Sequence, residues 1–184
     1  MSKKINLNEP IFAQTELCDM ARLEANTVNN WVRLNHVVPA PSTDRRMRGR
    51  RFYTLLECVK ARIMGSCVER LAMQPAHAAE VAAHALQVIA KELPGEEIAT
   101  IDVAVFSYLI VSQASGNVTV STAYRWGKFA QAGADPTFYG MNPENYPAAM
   151  PVIFPLEAFA IVPITQLFRE VFNAATEILE GDSA

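Results

Sequence analysis

The pattern of apolar residues predicts a mainly α chain with a small α+β part toward its C-terminal end. Three observations lead there. Apolar side chains recur at helical spacing in five stretches. Between Ile98 and Val162 that spacing gives way to β-branched runs, one of which alternates from Val118 to Trp126. Apolar residues make up 51% of the 184 positions, enough to build a core and too many for a disordered chain.

Taken in order, residues 1–10 are polar, end in Glu9-Pro10 and read as a flexible arm. Thr15 opens a short helix with Leu17, Met20 and Ala21 on one face, and is its expected N-cap. A break near Arg22–Ala25 precedes a second short helix, Ala25 to Leu34, with Val28, Trp31 and Val32 inward; Asn35 suits the left-handed residue that ends it. Val37–Pro41 and Arg51–Thr54 read as two short strands around an arginine-rich tip. Thr54 caps a third helix carrying Leu55, Leu56, Val59, Ile63 and Cys67, and Gln74-Pro75 ends it and starts an alanine-rich helix to residue 93. Ile98–Gln113 and Val118–Trp126, around Ser115-Gly116-Asn117, predict a β-hairpin. Gly133–Pro151, with four prolines, reads as irregular. Val152–Val162 is an expected edge strand, since Pro155 interrupts it. Pro163 opens the last helix, through Ile178 to Gly181. The implied segments are an arm (1–10), a helical unit with the arginine tip (11–73), a connecting helix (74–95) and an α+β domain (96–184).

Charge is divided unevenly along the chain. Residues 1–70 hold 12 Lys/Arg against 7 Asp/Glu, whereas residues 71–184 hold 4 against 12. Such asymmetry suggests that one half meets phosphate and the other does not. Five arginines (Arg45, Arg46, Arg48, Arg50 and Arg51) fall within seven positions between the two short strands. A basic tip of this kind is what a DNA-binding wing looks like, and the two helices upstream read as a helix-turn-helix. The second helix of such a motif fits the major groove and presents its outward side chains to base edges. Those are Asn26, Thr27, Asn29, Asn30 and Arg33, with Thr15 at the start of the first helix. Asparagine amides bond bidentately to adenine, threonine meets a thymine methyl or a phosphate, and the arginines suit phosphate contacts. Three asparagines also make an ordinary solvated face; it is their adjacency to the arginine tip that points to duplex DNA.

At this point the residues resemble a family. Thr15-Glu16-Leu17, Asn26-Thr27-Val28 leading into Trp31, Val37-Val38-Pro39, and Arg51-Phe52-Tyr53-Thr54 with Leu56-Glu57 look like the winged helix-turn-helix domain of the MerR superfamily, over residues 11–73. The resemblance implies a bacterial DNA-binding transcriptional regulator. It places Thr27, Asn29, Trp31 and Arg51 at or near DNA, and Tyr53 either packing the wing or touching phosphate. Asn29 and Asn30 replace the family's Arg-Tyr pair, and Asn35 stands where glycine is common, so base preference does not transfer. Pro75 stands where members continue into a long dimerising helix, and no cysteines of a metal sensor follow it.

The rest of the chain carries no Ser/His/Asp arrangement, glycine-rich phosphate loop or paired carboxylates, so no enzyme and no cofactor is expected. The three cysteines form no CxxC pair and are expected as reduced thiols; His77 and His84 lie too far apart for ligation from adjacent turns, so no metal is expected either. The start lacks an apolar signal region, and Val103–Val111 is too short to span a bilayer, so the expectation is a cytoplasmic protein without membrane contact. A second domain in a DNA-binder commonly joins subunits, and the last helix offers Ile164, Leu167, Phe168, Val171 and Phe172 as a homodimer face. The domain's aromatics leave room for a small-molecule or protein effector. An excisionase-like architectural factor is the alternative, although such proteins are usually shorter.

Overall fold

A computed structural model of the chain describes residues 4–40, 50–92, 97–98, 107–114, 117–125 and 158–181. They are mainly helical, with small antiparallel sheets. The chain divides into two compact units, residues 1–101 with 166–184, and residues 102–165.

In the first unit, strand β1 (Ile5–Asn6) pairs antiparallel with β4 (Glu97–Ile98). Ile5 and Leu7 are buried, and the Leu7 carbonyl accepts from the Leu56 amide. The expected flexible arm is thereby corrected. Ile5 and Leu7 alternate with polar Lys4, Asn6 and Asn8, the two-residue period of a half-buried strand. Strand β2 (Phe12–Ala13) pairs with β3 (Phe52–Tyr53), and Ala40 bridges to Phe52 on the approach to the arginine segment.

Helix α1 (Gln14–Ala21) starts one residue before Thr15. Ala13 occupies the cap position, and the Glu16 carboxylate accepts from its amide; Thr15 is exposed and caps nothing. Arg22, at φ 57°, ends α1 in the left-handed conformation. Only Leu23 and Glu24 separate it from α2 (Ala25–Arg33). Asn35 adopts φ 59°, as its sequence position predicts.

Helix α3 (Leu55–Leu71) is capped by Thr54, whose Oγ1 accepts from the Glu57 amide at 3.1 Å. A methyl group built on Gly65 would meet Leu23 Cδ2 at 3.0 Å, so this glycine lets the α1–α2 turn approach α3 closely. Ala72, at φ 51°, ends α3. Pro75 opens α4 (Pro75–Glu92), which packs on α3 and buries Ala78, Val81, Ala82 and Ala85.

Helix α5 (Ile164–Gly181) follows the second unit in sequence, yet from Gln166 onward it belongs to the first. Its Ile164, Leu167, Phe168, Val171 and Phe172 are all 5% exposed or less within a single chain. The expected dimer face is therefore corrected to an intramolecular one, and the expected 96–184 domain loses its last helix to the N-terminal unit. An amphipathic stripe specifies that it must be covered, not by which chain.

The second unit contains a three-stranded antiparallel sheet in the order β6–β5–β7, from β5 (Ser107–Ala114), β6 (Asn117–Arg125) and β7 (Ala158–Val162). The predicted hairpin is present, with Tyr108 opposite Tyr124 and a register shift between Leu109 and Ile110. Strand β7 pairs with β5 alone among the described strands. Ser115-Gly116, the stretch Gly133–Pro151 and the prolyl break at Pro155 lie outside the described residues.

Candidate nucleic-acid interface

Helix α2 divides cleanly into two faces. Val28 and Trp31, one turn apart, are buried against the unit. Opposite them Asn26, Asn29, Asn30 and Arg33 are exposed at positions i, i+3, i+4 and i+7, a single stripe along the helix. Thr27 lies half-buried at its margin.

The stripe joins the arginine segment directly. Asn29 Oδ1 accepts from Arg51 Nη1 at 3.2 Å and from Gln14 Nε2 at 3.1 Å. Three elements thus meet at one exposed amide: the first residue of α1, the middle of α2 and the residue entering β3. At the next residue, Asn30 Oδ1 accepts from Arg33 Nη2, one turn on, at 3.0 Å. Arg50 and Arg51 are exposed; Arg45, Arg46 and Arg48 lie outside the described residues. Behind this surface, Glu57 Oε2 accepts from the Val38 amide at 2.9 Å, and its Oε1 lies 3.6 Å from Lys60 Nζ. The carboxylate ties the segment leaving α2 to the first turn of α3.

Two residues assigned to DNA are not on this surface. Trp31 is only 2% exposed, as its spacing from Val28 requires, so its indole anchors α2 and does not face a duplex. Tyr53 is fully buried in β3, with Arg51 beside its hydroxyl. Burial raises its pKa, and the neighbouring Arg51 charge opposes the rise. Of the two roles open to Tyr53, packing fits its position; phosphate contact does not. Conversely, sequence reading missed Gln14 and Glu57. The Thr54-x-x-Glu57 spacing resembles a capping box, but the Glu57 carboxylate accepts from Val38 and not from the Thr54 amide, so no local pattern marked its role. Gln14 was hidden by the expectation that Thr15 starts the helix.

A second charged cluster lies in the same unit. Arg62 on α3 is buried and donates from Nη2 to Glu170 Oε2 of α5 at 2.8 Å; Arg22 Nη2 approaches the same oxygen at 3.6 Å. Gln166 Nε2 donates to the other carboxylate oxygen at 3.3 Å. Burial alone would raise the Glu170 pKa, but the Arg62 hydrogen bond and charge, helped by Gln166 and Arg22, outweigh it and hold it below the ordinary carboxylate value. This cluster fastens α5 to α3 and to the end of α1.

The cysteines are free thiols. Burial raises the pKa of each, Cys67 to about 11, which leaves them protonated and unreactive at neutral pH. Among the described residues no group of three or more His, Cys, Asp or Glu side chains is placed to hold a metal ion, and no helix is long and apolar enough to cross a membrane. No protein-family model matches the chain, and a search of curated proteins returns no significant match.

Proposed function

We propose that this chain is a sequence-specific DNA-binding transcriptional regulator. Residues 11–73 act as a winged helix-turn-helix, with α2 in the major groove and the segment around Arg45–Arg51 as the wing. The observation that carries the reading is the bond between Arg51 and Asn29. It unites the polar stripe of a short helix, buried on its other side, with the base of a run of five arginines. Base-reading amides and phosphate-binding guanidinium groups then form one surface on the basic part of the chain. The likeness of residues 11–73 to MerR-type domains supports the same assignment.

The face of α5 is used inside the chain, so one copy on one half-site is the unit we propose. The symmetry of a selected site decides whether two copies bind together.

Binding of the purified chain to short duplexes across a salt series tests the proposal. Affinity should fall steeply with salt as counterions return to the DNA. Replacing the exposed Arg50 with alanine should weaken binding to all sequences alike and flatten the log–log salt slope by about 1. A chain that ignores duplex DNA even in dilute buffer overturns the reading.

A further inference from the structure

The hydrogen bonds at Asn29 restrict what this residue can read. A carboxamide has an acceptor oxygen with two lone pairs and an NH₂ with two donors. Asn29 Oδ1 already accepts from two groups, Arg51 Nη1 at 3.2 Å and Gln14 Nε2 at 3.1 Å. A guanidinium has only donors, so the oxygen must be the atom facing Arg51, and the NH₂ faces outward. Bidentate recognition of adenine needs both halves of the amide: the oxygen for N6–H₂ and the nitrogen for N7. Asn29 retains only the nitrogen. Asn26, one turn earlier and exposed, has no hydrogen bond among the described residues and keeps its whole amide.

We propose, on the footing of the DNA-binding reading, that Asn29 is a specificity-determining residue that acts as a donor only and selects a keto base, guanine or thymine. Guanine offers O6 and N7, and thymine offers O4. Cytosine presents only an exocyclic amino group, which sets donor against donor, and adenine's lone acceptor N7 lies beside its N6 amino group, so adenine accepts one hydrogen where guanine accepts two. Gln14 and Arg51 are positioning residues in this scheme, because they hold the amide in its orientation. Asn26 is left as the residue of the stripe able to read adenine.

Selection from a random duplex library with the full chain tests this, comparing wild type, Asn29→Asp and the double variant Gln14→Leu with Arg51→Leu. All three positions are at the surface, and thermal melting verifies that each variant folds. One position of the wild-type site should favour guanine or thymine by about tenfold. Asn29→Asp keeps the acceptors facing Arg51 and Gln14 but loses the donors. It should abolish that preference and admit cytosine, whose amino group a carboxylate accepts. The double variant frees the oxygen and should bring adenine in at the same position, whatever it costs in overall affinity. The proposal is overturned if the position sensitive to Asn29→Asp is adenine in the wild-type site. It is also overturned if neither variant alters any position while all three proteins still bind. Loss of all binding by the wild type in dilute salt would instead remove the DNA-binding reading beneath it.

Discussion

Helices α2 and α5 are both amphipathic, and the sequence suggests an outward task for each: α2 toward DNA, α5 toward a second subunit. They divide in the folded chain. Helix α2 buries Val28 and Trp31 and leaves a polar stripe exposed, whereas α5 hides Leu167, Phe168, Val171 and Phe172 within the chain. The difference lies in what a stripe encodes. An apolar stripe demands cover and is silent about who supplies it. A polar stripe on a helix already fixed by its other side has no folding demand left to meet, so it is free for a ligand.

The largest effect that can break this comparison lies on α5. Phe168→Ala should lower stability by about 3–5 kcal/mol, the cost of emptying a buried aromatic site. Asn30→Ala on α2 should stay within about 0.5 kcal/mol. Urea unfolding at several protein concentrations checks both. If Phe168→Ala leaves the unfolding midpoint in place and only shifts sedimentation to a smaller species, α5 faces a partner after all.

Next in size is the carboxylate that fastens α5. Glu170 has a folded-state pKa below its unfolded one, so its contribution is complete above the unfolded value and disappears as pH falls through the folded value. Glu170→Gln should cost about 1–3 kcal/mol at neutral pH, because the buried Arg62 loses its counter-charge. The gap between the two proteins should close on acidification below the ordinary carboxylate range. Unfolding curves from neutral to acid pH measure it; a gap that stays constant with pH refutes the charge assignment.

What was legible in the sequence and what was not follow from how far apart the interacting residues stand. The Thr54 cap, the left-handed Asn35, the start of α4 at Pro75 and the hairpin all announce themselves within a few residues, and each is present. The pairing of β1 with β4 and the bond from Arg62 to Glu170, 108 residues apart, depend on contacts no local window contains. Trp31 shows the same point from the other side. Helical spacing put it inward with Val28, position within a resemblance put it at DNA, and the spacing was right. On the candidate surface, the stripe of α2 was readable from its period. The link through Gln14 was not, because it joins the start of one helix to the middle of the next.

The smallest effect isolates how much Arg22 adds to the hold on α5. Arg22 and Ala72 both end helices at positive φ, where a side chain costs roughly 1 kcal/mol against glycine. Part of that relief is offset by glycine's larger entropy in the unfolded chain. Ala72→Gly should therefore raise stability by about 0.5–1 kcal/mol. Arg22→Gly relieves the same strain but also removes the 3.6 Å approach to Glu170 from a guanidinium that is 66% exposed. Exposed pairs contribute about 0–1 kcal/mol, so this variant should fall between neutral and the Ala72→Gly gain. The difference between the two glycine variants is then the worth of the Arg22 contact, measurable from their denaturation midpoints. It should shrink in high salt, as an exposed ion pair must. A large, salt-independent loss from Arg22→Gly would mean that the α1 terminus holds α5 by packing, and that the charge cluster is incidental to it.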